Sequence, residues 1–146
     1  TRSYAETYGR LLAMKLLSEE ISFDILSWVP ISRLRKWRRG YDQVELIATT
    51  VAEELGVKLI PTLRKIRNTP PQSLKGSAAA RRANVLNAFR VCDPESVKGK
   101  RILLLDDIIT TGTTISECAK TLQLSGADQV LAAVVASAAH DKKQEK

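Results

Sequence analysis

Apolar residues recur at helical spacing in three stretches of the chain, near its start, in its middle and in its last third. Spacings of three and four residues place such positions on one face of a helix. The positions are Tyr4, Tyr8, Leu11, Leu12 and Leu16, then Val44, Ile47, Ala48, Val51 and Leu55, and then Ile115, Cys118, Ala119 and Leu122. Asp42 and Glu45 resemble a capping box before the second stretch, and Gly56 and Gly126 are typical helix ends. The pattern predicts three amphipathic helices.

Three short, mainly apolar segments lie between these helices, and only the one at residues 102–105 is unbroken. One covers residues 25–29 and is stopped by Pro30, and another covers residues 102–105. A third covers residues 57–63, where Pro61 favours an edge position or an early end of the strand. Unbroken apolar runs are typical of parallel strands that are covered on both faces. The alternation of strands and helices therefore predicts an α/β fold, with an open parallel sheet and helices on both faces.

Residues 67–86 show neither a strand pattern nor a long helical pattern. Residues 67–77 contain Pro70, Pro71 and Gly76 and predict a long loop, while residues 78–86 suit a short helix. Loops of this length inside a compact domain are often functional. This loop is therefore a candidate for substrate contact.

The size of the chain allows one domain. Its 146 residues predict a single globular unit over residues 1–137 and a polar tail over residues 138–146. No apolar run approaches the roughly 18 residues of a membrane span, so we expect a cytoplasmic protein without membrane insertion. Cys92 and Cys118 stand alone, and we expect two reduced thiols in packing positions.

Basic residues outnumber acidic ones, 23 to 16, which gives a formal net charge of +7. They cluster in residues 33–39 and 64–82, each of which follows a predicted strand. A positive bias favours anionic partners such as nucleotide phosphates or nucleic acid. The alternative, solvated basic loops that keep the protein soluble, stays open at this point.

The run at residues 102–105 is followed directly by the adjacent carboxylates Asp106 and Asp107. Ligands of open α/β sheets bind beyond the carboxyl ends of the strands. Paired acids need a hydroxyl-rich or cationic partner, and ribose hydroxyls with a hydrated Mg²⁺ would provide one. Next come Thr110, Thr111, Gly112, Thr113 and Thr114, at the start of a predicted helix. Free backbone N–H groups there form a cradle for a phosphate. A plain strand–turn–helix would leave the paired acids unexplained.

At these residues the sequence resembles the signature loop of type I phosphoribosyltransferases, and more widely the ComF family of competence proteins. The further matching motifs are Pro30-Ile31-Ser32, Arg39-Gly40-Tyr41-Asp42-Gln43, the basic segment with Arg64, Arg67, Thr69, Gln72, Arg81, Asn84, Val85 and Phe89, and Gly99-Lys100-Arg101. Together they cover most of residues 30–136. The chain departs from the family pattern at Asp42, where Asn is usual, and at Trp28, where a proline is usual.

The resemblance implies a role for each motif. Asp106 and Asp107 would be the catalytic carboxylates and would hold Mg²⁺, directly or through water, and the ribose of phosphoribosyl pyrophosphate (PRPP). The residues implied for the 5′-phosphate are Thr110, Thr111, Gly112, Thr113 and Thr114. Those implied for the pyrophosphate are Ile31, Ser32, Arg33 and Arg39, and those of the flexible loop that closes over it are Arg64, Arg67, Gln72 and Arg81. ComF proteins usually begin with a cysteine-rich zinc module, which this sequence lacks, so we expect either a fragment or a divergent short member.

Two functions remain open on this basis. One is an accessory protein of DNA uptake in natural transformation that binds PRPP with Mg²⁺, with single-stranded DNA or DNA-uptake proteins as partners. The other is an active phosphoribosyltransferase of nucleotide salvage, in which a nitrogen nucleophile displaces pyrophosphate. The acceptor base cannot be read from the sequence, and a homodimer is compatible with it.

Overall fold

The computed structural model describes residues 2–31, 42–66, 88–106 and 113–134, with the side chains of residues 2, 3 and 113 excepted. Within these ranges the chain forms four helices and six strands. The helices are α1 Arg2–Ser18, α2 Gln43–Leu55, α3 Pro94–Val97 and α4 Thr113–Leu124. The strands are β1 Ile25–Trp28, β2 Lys58–Leu59, β3 Leu63–Lys65, β4 Phe89–Val91, β5 Arg101–Asp106 and β6 Gln129–Val134.

Four of the strands form a parallel main sheet in the order β2-β1-β5-β6. β5 lies in its interior, and Ile102–Leu105 are buried. In register, Ile25 lies beside Ile102 and Trp28 beside Leu105. This is the predicted parallel sheet, with the apolar run at residues 102–105 as a central strand.

Side chains of β1 and β5 alternate between two apolar layers, as the twofold period of a strand requires. Leu26, Leu103 and Leu105 pack against α1 and α2 on one face. Ile25, Ile102 and Leu104 pack on the other face. There they meet residues of α3, α4 and β4, namely Val97, Ile115, Cys118, Leu122 and Phe89. The prediction of helices on both faces is confirmed.

Helix α2 has the ends that the sequence predicts. The Asp42 carboxylate accepts hydrogen bonds from the backbone N–H of Val44 and Glu45, at 3.1 and 3.2 Å. Gly56 ends the helix with φ +65°, a conformation that favours glycine. On its outer side α2 lies very close to α1, because a Cβ at Gly9 would stand 2.5 Å from the Cβ of Thr50.

Residues 57–63 contribute to two short strands, and the edge position and early end that Pro61 predicts are confirmed. Lys58 and Leu59 form β2 at the edge of the main sheet, the Ile60 N–H still donates to the Leu26 carbonyl at 3.0 Å, and the chain leaves the sheet at Pro61. Leu63–Lys65 then form β3, which pairs antiparallel with β4 in a separate two-stranded sheet. Proline has no N–H to donate to a ladder, so the run cannot continue as one strand.

The two-stranded sheet is tied to the main sheet by a buried polar contact. The hydroxyls of Ser27 in β1 and Thr62 lie 2.7 Å apart, and the Thr62 N–H donates to Ser27 Oγ at 3.2 Å. The Thr62 carbonyl in turn accepts from the Cys92 N–H after β4. Both side chains are fully buried. The contact therefore fixes the start of β3 and the end of β4 relative to β1.

The remaining predictions divide between the described ranges and the rest. Cys118 is buried as expected, but Cys92 is exposed, so its predicted packing position is wrong. The predicted loop 67–77 and helix 78–86 lie outside the described residues. In the described part, none of the helices combines the length and apolarity that crossing a membrane requires.

Candidate ligand-binding site

The carboxyl edge of the main sheet gathers the polar residues that the sequence singles out. β1 and β5 end almost level, because Trp28 pairs with Leu105 and the Val29 N–H donates to the Leu105 carbonyl at 2.8 Å. Asp106 is the next residue and ends β5 beside Val134 of β6. Its carboxylate therefore lies at the edge where ligands of α/β sheets bind.

Helix α4 begins seven positions further along, at Thr113, and Thr114 in its first turn is partly buried. Its apolar residues Ile115, Cys118 and Leu122 fix it to the face of the main sheet. The predicted order of strand, acidic residue and helix N-terminus is thus present. Asp107, Thr110, Thr111 and Gly112 lie outside the described residues, and their predicted roles stay predictions.

A cleft of about 750 Å³ opens at the same edge. Its lining comes from the ends of β1 and β2, the start of α2, and the free side of β3: Trp28, Pro30, Ile31, Asp42, Glu45, Leu59, Pro61, Leu63, Arg64, Lys65 and Ile66. Four consecutive residues of the last group border it, so the cleft runs along the edge of the two-stranded sheet. Clefts of this volume are typical of sites for small molecules.

Asp42 is the buried charge of this cleft, with 5% of its surface exposed. Burial raises the pKa of Asp42 above its ordinary value, and the charge of Glu45 adds to this. Hydrogen bonds from the backbone N–H groups of Glu45 and Val44 and from the Trp28 side chain act against it. Trp28 and Asp42 are the two positions where the chain departs from the ComF pattern, and their side chains are hydrogen-bonded to each other.

Lys65 is a cation of the site that the sequence reading missed. Because side chains alternate along a strand, Lys65 shares the inner face of β3 with the buried Leu63, and Arg64 lies on the outer face. The Lys65 ammonium lies 5.8 Å from the centroid of the Phe89 ring. The alternation of Leu63, Arg64 and Lys65 could have predicted that Lys65 faces inward, but a strand of three residues is too short for this pattern to be recognised.

The charges of Lys65 and Asp106 meet at the buried thiol of Cys118 in α4. Burial raises the pKa of Cys118, the charges of Asp106 and Glu117 raise it further, and the charge of Lys65 lowers it. Asp106 at the end of β5 and Lys65 of the two-stranded sheet therefore both act on a sulfur atom in the middle of α4.

The predicted site residues divide as follows. Ile31 and Arg64 border the cleft, and Asp106 lies at the end of β5. Ser32, Arg33, Arg39, Arg67, Gln72 and Arg81 lie outside the described residues. Ile31, from the residues predicted for the pyrophosphate, and Arg64, from the predicted flexible loop, therefore border the same cleft.

A magnesium ion is compatible with the donor chemistry of this edge. Among the described residues, no three side chains of His, Cys, Asp or Glu gather into a metal cage. Magnesium does not need such a cage, because one or two carboxylates suffice when phosphate oxygens and waters complete its shell. Asp106 at the strand end offers a carboxylate of that kind.

Comparison with known proteins places this geometry in context. Residues 45–146 match the family described as phosphoribosyl transferase domain. The DNA utilization protein YhgH of Salmonella typhi is 35% identical over 132 residues, which cover 86% of this chain and 57% of that protein. Competence protein F of Haemophilus influenzae is 34% identical over 105 residues, which cover 70% of this chain and 45% of that protein. The resemblance to the ComF family is confirmed, and the chain spans about half the length of these relatives.

Among solved structures, the glutamine PRPP amidotransferase from B. subtilis, complexed with ADP and GMP, has the same fold. The superposition has a TM-score of 0.64 at 25% identity and covers 92% of this chain and 26% of that one. The shared part is therefore one domain of a larger enzyme.

Proposed function

The chain belongs to the phosphoribosyl transferase domain family, and from this premise we propose that it binds PRPP with Mg²⁺ at the carboxyl edge of its main sheet. The observation that carries the proposal is the order β5, Asp106, helix α4 beside a cleft of about 750 Å³. This order combines a carboxylate with the positive end of a helix dipole. The hydroxyls of a phosphorylated sugar can bind to the carboxylate, and its phosphate can bind to the helix N-terminus.

The chain's own residues divide the ligand between them. Asp106, together with the predicted Asp107, accepts hydrogen bonds from the ribose hydroxyls. The N-terminus of α4, with Thr113 and Thr114, receives the 5′-phosphate. Lys65 on the inner face of β3 meets the pyrophosphate end, with the predicted Ser32, Arg33 and Arg39. Mg²⁺, held by Asp106 and Asp107 directly or through water, would neutralise charge on the phosphate oxygens.

For the role of this site we propose an accessory function in DNA use, as in natural transformation. Both relatives, a DNA utilization protein and a competence protein, carry names of that kind. The net charge of +7 suits a protein that works beside polyanions. In this role the nucleotide site would sense or handle a phosphorylated ligand while single-stranded DNA or DNA-uptake proteins are bound elsewhere.

The second candidate is an active phosphoribosyltransferase, which the shared fold with a PRPP amidotransferase favours. The C1–O bond to pyrophosphate would break and a C1–N bond to the acceptor would form, with pyrophosphate leaving. Positioning and electrostatic stabilisation of the leaving group would be the protein's contribution.

Calorimetric titration of PRPP tests the shared part of both candidates. The wild type is titrated with and without Mg²⁺, beside an Asp106→Asn/Asp107→Asn variant. Asp24→Asn, at the opposite edge of the main sheet, is the matched control. We expect Mg²⁺-dependent binding by the wild type and the control, and at least a tenfold loss in the double variant. Absence of binding by the folded wild type would contradict the proposal.

If PRPP binds, incubation with a panel of free bases separates the two roles. Release of pyrophosphate together with a nucleotide product would establish the enzyme. Binding without turnover on the whole panel would favour the accessory role.

A further inference from the structure

Two arginines face each other across the two-stranded sheet. In the antiparallel register of β3 and β4, Arg64 lies directly opposite Arg90, and Lys65 lies opposite Phe89. Leu63 and Phe89 are buried on the inner face. Arg64 and Arg90 are both exposed on the outer face. We call this the arginine pair.

This arrangement is unfavourable on its own. Like charges directly opposite each other on one face destabilise a strand pair. In the part of the chain that the structure describes, neither guanidinium has an ion pair or a hydrogen bond. Arg10 and Arg101, by contrast, pair with Glu54 and Asp24. Among the described residues, nothing therefore offsets the repulsion between the two guanidinium groups.

A bound anion would neutralise the repulsion between Arg64 and Arg90. Guanidinium groups bind phosphate through two parallel N–H bonds, so two adjacent ones suit a ligand with consecutive phosphates. Pyrophosphate at the proposed nucleotide site is a poor match for the pair, because Arg64 borders the cleft and Arg90 is not among its lining residues. Ile66, the next outer-face position after Arg64, exposes 41% of its surface and adds an apolar contact.

We propose that the outer face of the two-stranded sheet, centred on Arg64 and Arg90, is a contact surface for the phosphate backbone of single-stranded DNA. This rests on the DNA-related part of the proposed function and not on PRPP binding. A backbone contact by arginines is independent of base sequence. The arginine pair borders the cleft through Arg64, so a bound strand would pass the entrance to the nucleotide site.

Anisotropy of a labelled oligothymidylate, measured over a series of salt concentrations, tests this surface. The test variant is Arg90→Gln, because Arg64 borders the cleft and belongs to the residues predicted for PRPP. The control variant is Lys98→Gln, which removes the same charge from an exposed residue outside the two-stranded sheet. Each phosphate contact to a single strand adds about 0.7 to the slope of log affinity against log salt. We expect the test variant to lose about 0.7 from that slope, and the control to lose little.

Two further measurements keep the outcomes distinct. PRPP affinity of the test variant should stay within about twofold of wild type, because Arg90 is not among the residues that line the cleft. Its melting temperature should stay the same or rise, because a repulsion is removed. Equal DNA slopes for test and control variants would overturn the proposal. So would loss of PRPP affinity with unchanged DNA binding, a marked drop in melting temperature, or a wild type that binds PRPP but no DNA.

Discussion

The amino edge and the carboxyl edge of the main sheet treat their charges in opposite ways. At the amino edge, the Asp24 carboxylate accepts from the Arg101 N–H at 2.8 Å and from the Arg101 guanidinium at 3.2 and 3.3 Å. The same guanidinium donates to Ser22 at 3.0 Å. Hydrogen bonds from its side chain and backbone hold the pKa of Asp24 below its ordinary value. The charges of Asp24 and Arg101 at the amino edge therefore neutralise each other.

At the carboxyl edge a buried carboxylate shows the opposite shift. Burial raises the pKa of Asp42, which borders the cleft, and Asp106 ends a central strand at the same edge. Groups held where their charged form is disfavoured are typical of functional sites. The comparison teaches that an exposed carboxylate is paired with a cation at one edge of the sheet, whereas a buried carboxylate borders a cleft at the other. The predictions below test that difference.

Matched Ser→Ala substitutions should show the largest difference, between a buried contact of β1 and an exposed contact at the amino edge. Ser27→Ala leaves the buried hydroxyl and N–H of Thr62 without their partner, which should lower the free energy of unfolding by about 1–3 kcal/mol. Ser22→Ala removes an exposed contact and should cost less than about 0.5 kcal/mol. Urea unfolding of both variants measures the difference. Equal costs would contradict a buried tie between the two sheets.

The Ser27–Thr62 contact can be isolated by a double-mutant cycle. Because the two hydroxyls bond to each other, Ser27→Ala/Thr62→Val should cost less than the sum of the single substitutions. Strict additivity would mean that the contact contributes nothing of its own.

Lys65→Met should weaken PRPP binding about tenfold, which corresponds to about 1.4 kcal/mol. The substitution removes a positive charge from the inner face of β3 and keeps an apolar side chain over Phe89. Lys58→Met in β2 is the control, because Lys58 is exposed and outside the cleft lining. Calorimetry with Mg²⁺ compares the two. A similar loss in both variants would argue for a nonspecific charge effect.

Asp42→Asn should change stability in a pH-dependent way. Because the folded-state pKa of Asp42 is raised, its favourable contribution is complete below the ordinary value of 3.8 and is lost as the pH rises through the raised value. Asparagine keeps an oxygen for the N-cap and carries no charge. The melting temperature of the variant relative to wild type should therefore rise from acid to neutral pH. The opposite trend would show that Asp42 is stabilised as a charge.

Asp24→Asn should show the reverse dependence with the smallest amplitude. The pKa of Asp24 is lowered, so its contribution is present above 3.8 and is lost as the pH falls through the lowered value. The variant should melt slightly below wild type at neutral pH, and the difference should vanish in acid. The effect is small because the side chains of Arg101 and Asp24 are each 39% exposed. A difference that persists in acid would assign it to something other than the charge.

Much of the main sheet follows from local signals. The unbroken run at residues 102–105 predicts a central strand, and Asp42 and Gly56 predict both ends of α2. These signals are readable because each depends on neighbours in the chain, through helical spacing, capping or burial on both faces. β4, α3 and β6 add to the predicted elements. For the site, the sequence predicted Asp106 at the end of a buried strand, where the structure has it. The family resemblance named Ile31 and Arg64, which border the cleft, and their roles stay predictions.

The sequence by itself determined the fold class, the helices on both faces and the position of an acidic residue at the end of a buried strand. Only the tertiary structure decided the two-stranded sheet, the tie between Ser27 and Thr62, and which of Arg64 and Lys65 faces inward. The physical reason is distance along the chain. A pattern of apolar residues fixes which face of one element is buried, but a pairing between residues 35 positions apart depends on where Pro61 turns the chain.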